Sequence, residues 1–283
     1  METINDIKIR ELQIKANDIR KSIIEMLFEA GSGHTAGALG MADIFTYLYF
    51  IALKHKPEEP KWQERDRFVL SNGHICPVLY ATMAHAGYFP IDELKTLRKF
   101  GTRLQGHPHR EFLPMVETSS GPLGEGLSQA VGMAIASKMD NGIDKTIYCI
   151  VGDGELNEGQ NWEAIMLGAK YHLDNLIVIV DRNFIQIDGN TETVMPLNNL
   201  DSKWKAFNWH TEVIDGHNFR EINNAIYHAK NSKGIPSVII ANTTPGKGVK
   251  EFENNYIWHG KTPNRKEMLI ALEELNVLSN NLK

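Results

Sequence analysis

The sequence predicts an α/β fold in which a doubly wound, mainly parallel sheet carries helices on both faces. Three apolar, β-branched runs at residues 146–151, 176–180 and 237–240 are bounded by turn residues and show no polar alternation. Helical stretches separate these runs along the chain. Strands of this kind, interleaved with helices, are typical of a parallel sheet that is buried on both sides. We therefore expect residues 1–283 to form a single domain of this class.

The other elements follow from hydrophobic periodicity and turn residues. Between residues 7 and 30 apolar side chains recur at helical spacing, and Gly31 supplies a stop. A charged, proline-containing connection at 54–64 separates a second helical stretch, 41–53, from a short predicted strand at 67–70. Further helices are predicted at residues 161–171, 219–230 and 265–275.

The composition excludes several classes of protein. The 30 basic and 35 acidic residues are interspersed, so the chain offers no broad positive field and we expect no nucleic-acid partner. Cys76 and Cys149 form no metal-binding spacing, which suits a reducing compartment and favours two small core residues. No apolar run approaches the roughly 20 residues that cross a bilayer, and the N-terminal region is charged throughout. We expect a cytoplasmic protein without a membrane partner.

Polar side chains follow two of the predicted strands. Asp153 stands between two glycines after the strand at 146–151, and Asn183 follows the strand at 176–180. Ligands of doubly wound folds bind beyond the carboxyl ends of strands, where two such oxygen donors would converge. Mg²⁺ takes few protein oxygens and completes its shell with phosphate oxygens and water. A Gly-Asp-Gly tripeptide alone is ordinary turn chemistry, but the pair predicts a metal site that can take phosphate oxygens as further ligands.

Four of the 11 histidines stand beside glycine in predicted loops: His34, His74, His107 and His259. Glycine neighbours allow an imidazole to be presented to a ligand. A single histidine of this kind would more often be a surface or capping residue. Because the imidazole pKa of about 6.5 suits proton transfer near neutral pH, the four together predict one wall of an active site.

The surrounding motifs resemble those of transketolases. The tripeptide Gly152-Asp153-Gly154, followed by the 28 residues from 155 to 182 and then by Asn183, resembles the thiamine diphosphate signature. Motifs similar to those of transketolases also occur at residues 33–43, 66–74, 106–108 and 121–126. The resemblance extends from about residue 17 to 263. It implies a thiamine-diphosphate-binding fold. One departure is that Thr35 follows His34 where transketolases usually carry proline.

The resemblance assigns roles to individual residues. It implies a metal site formed by Asp153, Asn183 and the carbonyl group of Ile185, with Gly154 and Asn183 against the diphosphate of thiamine diphosphate. Contacts to the aminopyrimidine would come from Gly121, Pro122 and Leu123. His74 and His259 would face the diphosphate and thiazolium of the cofactor, His34 and His259 the substrate oxygens, and His107 a hydroxyl group of the ketose.

The resemblance also implies a partner. A transketolase chain continues into a pyrimidine-binding domain that carries the glutamate activating the cofactor, whereas this sequence stops at Lys283. We expect a separate C-terminal transketolase subunit to supply that half, in an assembly with two copies of each chain. Alone, this chain should be inactive. Glu158 is expected at the subunit boundary, while Glu163 is better explained as an acid that the helix dipole favours near a helix start.

Two alternatives stay open on the sequence, and a third does not fit it. The first is a different thiamine enzyme, related to deoxyxylulose-phosphate synthase or to the alpha subunit of a 2-oxo-acid dehydrogenase. The second is a non-catalytic module that binds the cofactor without chemistry. The third, a nucleotide-binding Rossmann domain, requires G-x-G-x-x-G directly after a strand, and glycines 31, 33 and 37 follow a helix instead. The identity of the sugar substrates is not indicated.

Overall fold

The computed structural model describes residues 4–140 and 145–282, and its centre is a five-stranded sheet in which every pairing is parallel. The strand order is β1-β2-β3-β7-β6, and a two-stranded antiparallel hairpin, β4-β5, stands apart from the sheet. The predicted fold class is therefore confirmed. The strands are β1 (Arg67–Leu70), β2 (Ile147–Gly152), β3 (Leu176–Arg182), β4 (Ile185–Gln186), β5 (Gly189–Asn190), β6 (His210–Asp215) and β7 (Ser237–Asn242).

Helices cover both faces of the sheet. They are α1 (Asp6–Ala30), α2 (Ala36–Gly40), α3 (Ala42–Tyr47), α4 (Cys76–His85), α5 (Glu125–Met139), α6 (Gly159–Lys170), α7 (Thr191–Val194), α8 (Leu200–Ala206), α9 (Phe219–Asn231) and α10 (Arg265–Leu282). One buried cluster joins α1, α3, α4, α9 and α10 to side chains such as Tyr148 and Ile150 of β2, whereas Cys149 and Val151 face a second cluster with α5, α6 and α8. This alternation explains why β2 contains no polar position.

The predicted elements agree with the observed ones, but several others lacked a signal in the sequence. The strands at 67–70, 146–151, 176–180 and 237–240 all occur, some with shifted ends. Strand β6 was missed because it lies at the sheet edge and most of its side chains are partly exposed, so it lacks an apolar run. The predicted helix at 265–275 extends to Leu282, where Asn17 of α1 bonds to the Leu275 carbonyl and to Ser279. Both cysteines are free and buried, as predicted.

A buried ionic network joins α1 to the loop that follows β7. Arg20 forms an ion pair of 2.5 Å with Asp43, and His217 Nδ1 lies 2.7 Å from the same carboxylate. Since His217 Nε2 accepts the N–H of Thr244, Nδ1 carries the proton and donates to Asp43. Burial opposes ionisation of Asp43, yet Arg20 and His217 lower its pKa to about 2. The network thereby fixes the loop behind the functional site.

Within the described residues, no helix combines the length and apolarity needed to cross a membrane.

Candidate active site

A cavity of about 360 Å³ opens at the carboxyl end of the sheet, beyond β2 and β3. This is the place predicted from the topology, because crossover loops diverge there. Most of the residues predicted for the site line it: His34, His74, His107, Gly121, Leu123, Asp153, Gly154, Asn183, Ile185 and His259. Pro122 does not line the cavity, although both of its chain neighbours do.

Asp153 lies directly beyond β2 and is almost completely buried, with 1% of its surface exposed. Its Oδ2 accepts the N–H of Phe184 at 2.9 Å and faces Arg182 Nη1 at 3.1 Å, while Oδ1 accepts the N–H of Gly154 at 2.7 Å. Burial raises the pKa of this carboxyl group, against the opposing effects of Arg182 and of the two N–H donors. Oδ2 also accepts the Thr191 hydroxyl at 3.4 Å, whereas Oδ1 has Gly154 as its one donor within the described residues and so keeps a free direction for a further ligand.

Asn183 is held beside Asp153 by a short turn. Its Oδ1 accepts the N–H of Ile185 at 3.0 Å, and its Nδ2 donates to Asp181 Oδ2 at 2.8 Å. These bonds fix the orientation of the amide, so its oxygen lies on the side of Ile185 rather than of Asp181. Phe184, between them, adopts a left-handed conformation with φ of 60°, which non-glycine residues adopt at a cost. The strained turn brings Asn183 and Ile185 into the same cavity.

Asp181 is a buried carboxylate that sequence reasoning did not identify. It receives a bond of 2.5 Å from the Thr243 hydroxyl as well as the bond from Asn183. Burial raises its pKa to about 7, and the neighbouring charge of Asp153 contributes in the same direction. Its position in β3, two residues before Asn183, was the only signal available in the sequence.

Three histidines from distant loops form a compact cluster in the cavity. The ring centroids are 5.0 Å apart for His34 and His74, 5.2 Å for His74 and His259, and 5.5 Å for His34 and His259. His107 lines the same cavity, and a Cβ at Gly121 would lie 3.6 Å from its ring. The predicted histidine wall is therefore present as a geometric unit.

The histidines of this wall are neutral near pH 7. Burial, followed by the neighbouring His259, Arg98 and His107, lowers the pKa of His34 to about 4. Burial also lowers the pKa values of His74, His107 and His259. Each ring therefore offers one donor and one acceptor nitrogen. Arg98, whose charge acts on His34 and His107, was not recognised in the sequence because it lies eight residues before Gly106, outside every motif that indicated the site.

The residues present fit a magnesium-bound diphosphate and its organic portion. Two buried polar atoms at the cavity, His34 Nδ1 and Asn72 Oδ1, have no hydrogen-bond partner, as expected where a ligand supplies one. A Cβ at Gly154 would lie 2.9 Å from Gln186 Oε1, so a larger residue there would displace the end of this side chain in the cavity. The described part of the chain has no group of three His, Cys, Asp or Glu suited to a metal, but the predicted set combines one carboxylate, one amide and one carbonyl. Such oxygen donors suit Mg²⁺.

The loop after His34 carries Thr35 where proline is usual in the resembling motif, and Thr35 is well bonded there. Thr35 donates a bond of 2.6 Å to the carbonyl of Lys261, which ties this loop to the loop that carries His259. The carbonyl of Ala36 accepts the N–H of Gly246 at 2.8 Å. A Cβ at Gly37 would lie 2.8 Å from Ile75, so the segment after Thr35 packs too closely for a larger residue there.

Comparisons with known proteins agree with the geometry of the site. Residues 12–276 match the family model described as transketolase, thiamine diphosphate binding domain. A 6-deoxy-6-sulfo-D-fructose transketolase subunit of Clostridium sp. is 44% identical over 94% of this chain and 96% of its own length. One of the apulose-4-phosphate transketolase subunits, from Phocaeicola vulgatus, is 38% identical over 95% of both chains.

The fold also matches complete transketolases. The transketolase of Campylobacter jejuni superposes with a TM-score of 0.89 and 35% identity over 99% of this chain, which spans 46% of the length of that enzyme. A transketolase from Leishmania mexicana gives a TM-score of 0.84, with 45% of its length covered. The resemblance predicted from the motifs is confirmed: the chain belongs to the transketolase family and corresponds to its thiamine diphosphate binding domain.

Proposed function

We propose that this chain is the thiamine-diphosphate- and magnesium-binding subunit of a two-subunit transketolase, which transfers a two-carbon ketol unit from an anionic ketose to an aldose. The observation that carries the proposal is the single cavity at the end of β2 and β3. It brings four neutral histidines together with Asp153 and Asn183. Neither nucleotide binding nor a purely structural role requires four histidines beside such a pair of oxygen donors.

In the proposed reaction the protein positions the reactants and moves protons. Thiamine diphosphate, when bound, supplies the nucleophilic carbon and the electron sink. Asp153, Asn183 and the Ile185 carbonyl would hold Mg²⁺, and Gly154 leaves room for the diphosphate oxygens. Neutral imidazoles at His34, His107 and His259 would exchange protons with substrate hydroxyl and carbonyl oxygens, since each carries both a donor and an acceptor.

A partner subunit is proposed to complete the site. The chain matches nearly the whole length of relatives that are named as subunits, but less than half of complete transketolases. Apolar side chains beside the cavity are exposed here, among them Leu123 at 42% and Ile187 at 74%. Such residues favour burial against another protein surface. A C-terminal transketolase subunit in a two-plus-two assembly would cover them, with the exposed Glu158 near the boundary.

The metal assignment is tested by calorimetry of thiamine diphosphate in the presence of Mg²⁺, using this chain mixed with its partner subunit. Asp153→Ala should weaken binding by at least about tenfold, which corresponds to 1.4 kcal/mol. The matched control is Asp18→Ala, which removes a half-exposed aspartate of α1 paired with Lys21. Equal cofactor affinities for Asp153→Ala and the wild type would refute the metal site.

The reaction is tested with a panel of ketoses on the same mixture. Two relatives are named for sulfonated or phosphorylated sugars, so 6-deoxy-6-sulfo-D-fructose, apulose 4-phosphate and xylulose 5-phosphate form the panel. Ketol transfer from at least one of them is expected. Cofactor binding without transfer from any ketose would favour another thiamine enzyme or a non-catalytic module.

A further inference from the structure

Glu155 is a buried carboxylate that receives hydrogen bonds from three separate segments around the cavity. Its Oε1 accepts the Ser71 hydroxyl at 2.5 Å and the N–H of Gly124 at 2.7 Å, and its Oε2 accepts the N–H of Gly152 at 3.0 Å. Only 3% of its surface is exposed. Within the described residues it has no cationic partner, so these donors alone compensate its burial.

The same carboxylate serves as a cap for α5, supplied by a distant part of the chain. Gly124 is the capping residue of α5 and has no side chain to bond the first N–H groups of the helix. Glu155 accepts the N–H of Gly124, while Ser71 Oγ accepts the N–H of Gly126 at 3.1 Å and donates its own hydroxyl proton to Glu155. The start of α5 is thus anchored to the loop that follows β2.

Close packing also fixes the start of α5, at Gly126 against Ser71 and at Gly124 against Glu158 in the segment that follows β2. A Cβ at Gly126 would lie 2.5 Å from Ser71, and one at Gly124 would lie 2.8 Å from the Glu158 side chain. Gly124 also has φ of 91°, which suits glycine. Because neither glycine has room for a Cβ, the packing is close on both sides. The hydrogen bonds of Glu155 then set the position of residues 121–124 relative to residues 152–154.

We propose that Glu155 is a positioning residue that couples the two ends of the cofactor site, fixing the segment at 121–123 against the diphosphate segment at 152–154. This proposal rests on the proposed function, because these segments are the ones expected to contact the aminopyrimidine and the diphosphate. A glutamine at this position cannot reproduce all three hydrogen bonds of Glu155. Its amide group has only one oxygen, so at least one backbone N–H would face an N–H₂ group and lose its partner.

The first test is hydrogen exchange in the ligand-free full-length chain. Glu155→Gln should accelerate exchange of the amides at 123–126 by about tenfold or more, equivalent to 1.4 kcal/mol of lost protection, because a neutral amide oxygen holds the Gly124 N–H more weakly than a carboxylate does. Asp66→Asn is the matched control, because Asp66 is also a buried carboxylate that accepts two backbone N–H groups, those of Lys54 and Thr146. If the two variants change exchange at 123–126 equally, Glu155 does not specifically position this segment and the proposal is wrong.

The second test compares two ligands on the chain assembled with its partner subunit. Glu155→Gln should weaken thiamine diphosphate binding in Mg²⁺ by about tenfold or more while leaving inorganic pyrophosphate with Mg²⁺ within about threefold of the wild type. Equal losses for both ligands would indicate a general structural defect and overturn the coupling. A wild-type assembly that binds neither ligand would instead contradict the proposed function, while the exchange experiment would still decide the role of Glu155.

Discussion

Individual side chains in the cavity are defined by their burial more than by their residue type. His34 has an ordinary histidine sequence context beside Gly33, yet desolvation and three neighbouring groups lower its pKa to about 4. The sequence identifies such a histidine as a candidate because of its glycine neighbour. Its protonation state follows only from the packing of His259 and Arg98 around it, since burial disfavours the charged form.

The lowered pKa of His34 predicts a dependence of stability on pH. The unfolded chain binds a proton at this residue below about 6.5, whereas the folded chain does so only near pH 4. Stability should therefore rise with pH between about 4 and 6.5, and the thermal midpoint should fall as the pH is lowered from 7 to 5. His34→Asn should reduce this slope, with the other three histidines maintaining part of it.

The control for this experiment is His172→Asn. His172 is an exposed histidine outside the cluster, with a positive φ of 51° that asparagine tolerates. Differential scanning calorimetry of the ligand-free chain at several pH values measures the slope for each variant. A His34→Asn variant with the slope of the wild type would mean that His34 titrates normally in the folded state.

Secondary-structure elements divide into those with a local signal and those that depend on their neighbours. The strands β2, β3 and β7 were predicted because all or nearly all of their residues are buried, which leaves continuous apolar runs in the sequence. Helix α5 was missed because glycine at two of its positions lowers helix propensity, and because its apolar side chains are not confined to one face of the helix. Its start is stabilised instead by Ser71 and Glu155, which lie 55 and 31 residues away from their bonded partners.

The two glycines inside α5 should respond oppositely to replacement by alanine. A Cβ at Gly126 would lie 2.5 Å from Ser71, whereas a Cβ at Gly132 would meet no atom within 4 Å. Gly126→Ala should therefore cost about 1–3 kcal/mol through overpacking. Gly132→Ala should add about 0.5–1 kcal/mol, because alanine is the better helix former and nothing obstructs it.

Urea unfolding of the ligand-free chain measures both changes, and Gly132→Ala serves as the control for the backbone effect of the substitution. A stabilising or neutral Gly126→Ala would show that the contact between α5 and Ser71 can relax easily. The same result would show that residues 121–126 can shift relative to their neighbours.

At the scale of the whole molecule, the core is closed but the cavity is open. Its sheet is covered on both faces by helices, so the fold has no need of a partner to complete its core. The cavity, in contrast, is bordered by exposed apolar residues and lies open at the carboxyl end of the sheet. We therefore expect the protein to fold alone and to depend on its partner subunit for cofactor retention.

Mixing with the partner subunit should make stabilisation by the cofactor much larger. A ligand at 100 times its dissociation constant stabilises the folded state by about 2.7 kcal/mol, whereas a weakly bound one at the same concentration contributes little. Thermal unfolding with Mg²⁺ and thiamine diphosphate should accordingly show a small shift for this chain alone and a larger one for the mixture. Asp153→Ala in the mixture is the control, and equal shifts with and without the partner would contradict a shared site.

The sequence by itself determined the fold class, the family and the chemical character of the site. Continuous apolar strands and turn residues indicate the fold class. The segments around His34, His74 and Asp153 indicate the family and the chemistry of the site, because these signals are local in the chain. Tertiary structure alone decided how the site is held together. The hydrogen bonds of Glu155 and the pKa of His34 arise from groups far apart in the sequence. Burial and convergence of this kind have no local pattern, so neighbouring residues in the chain could not have indicated them.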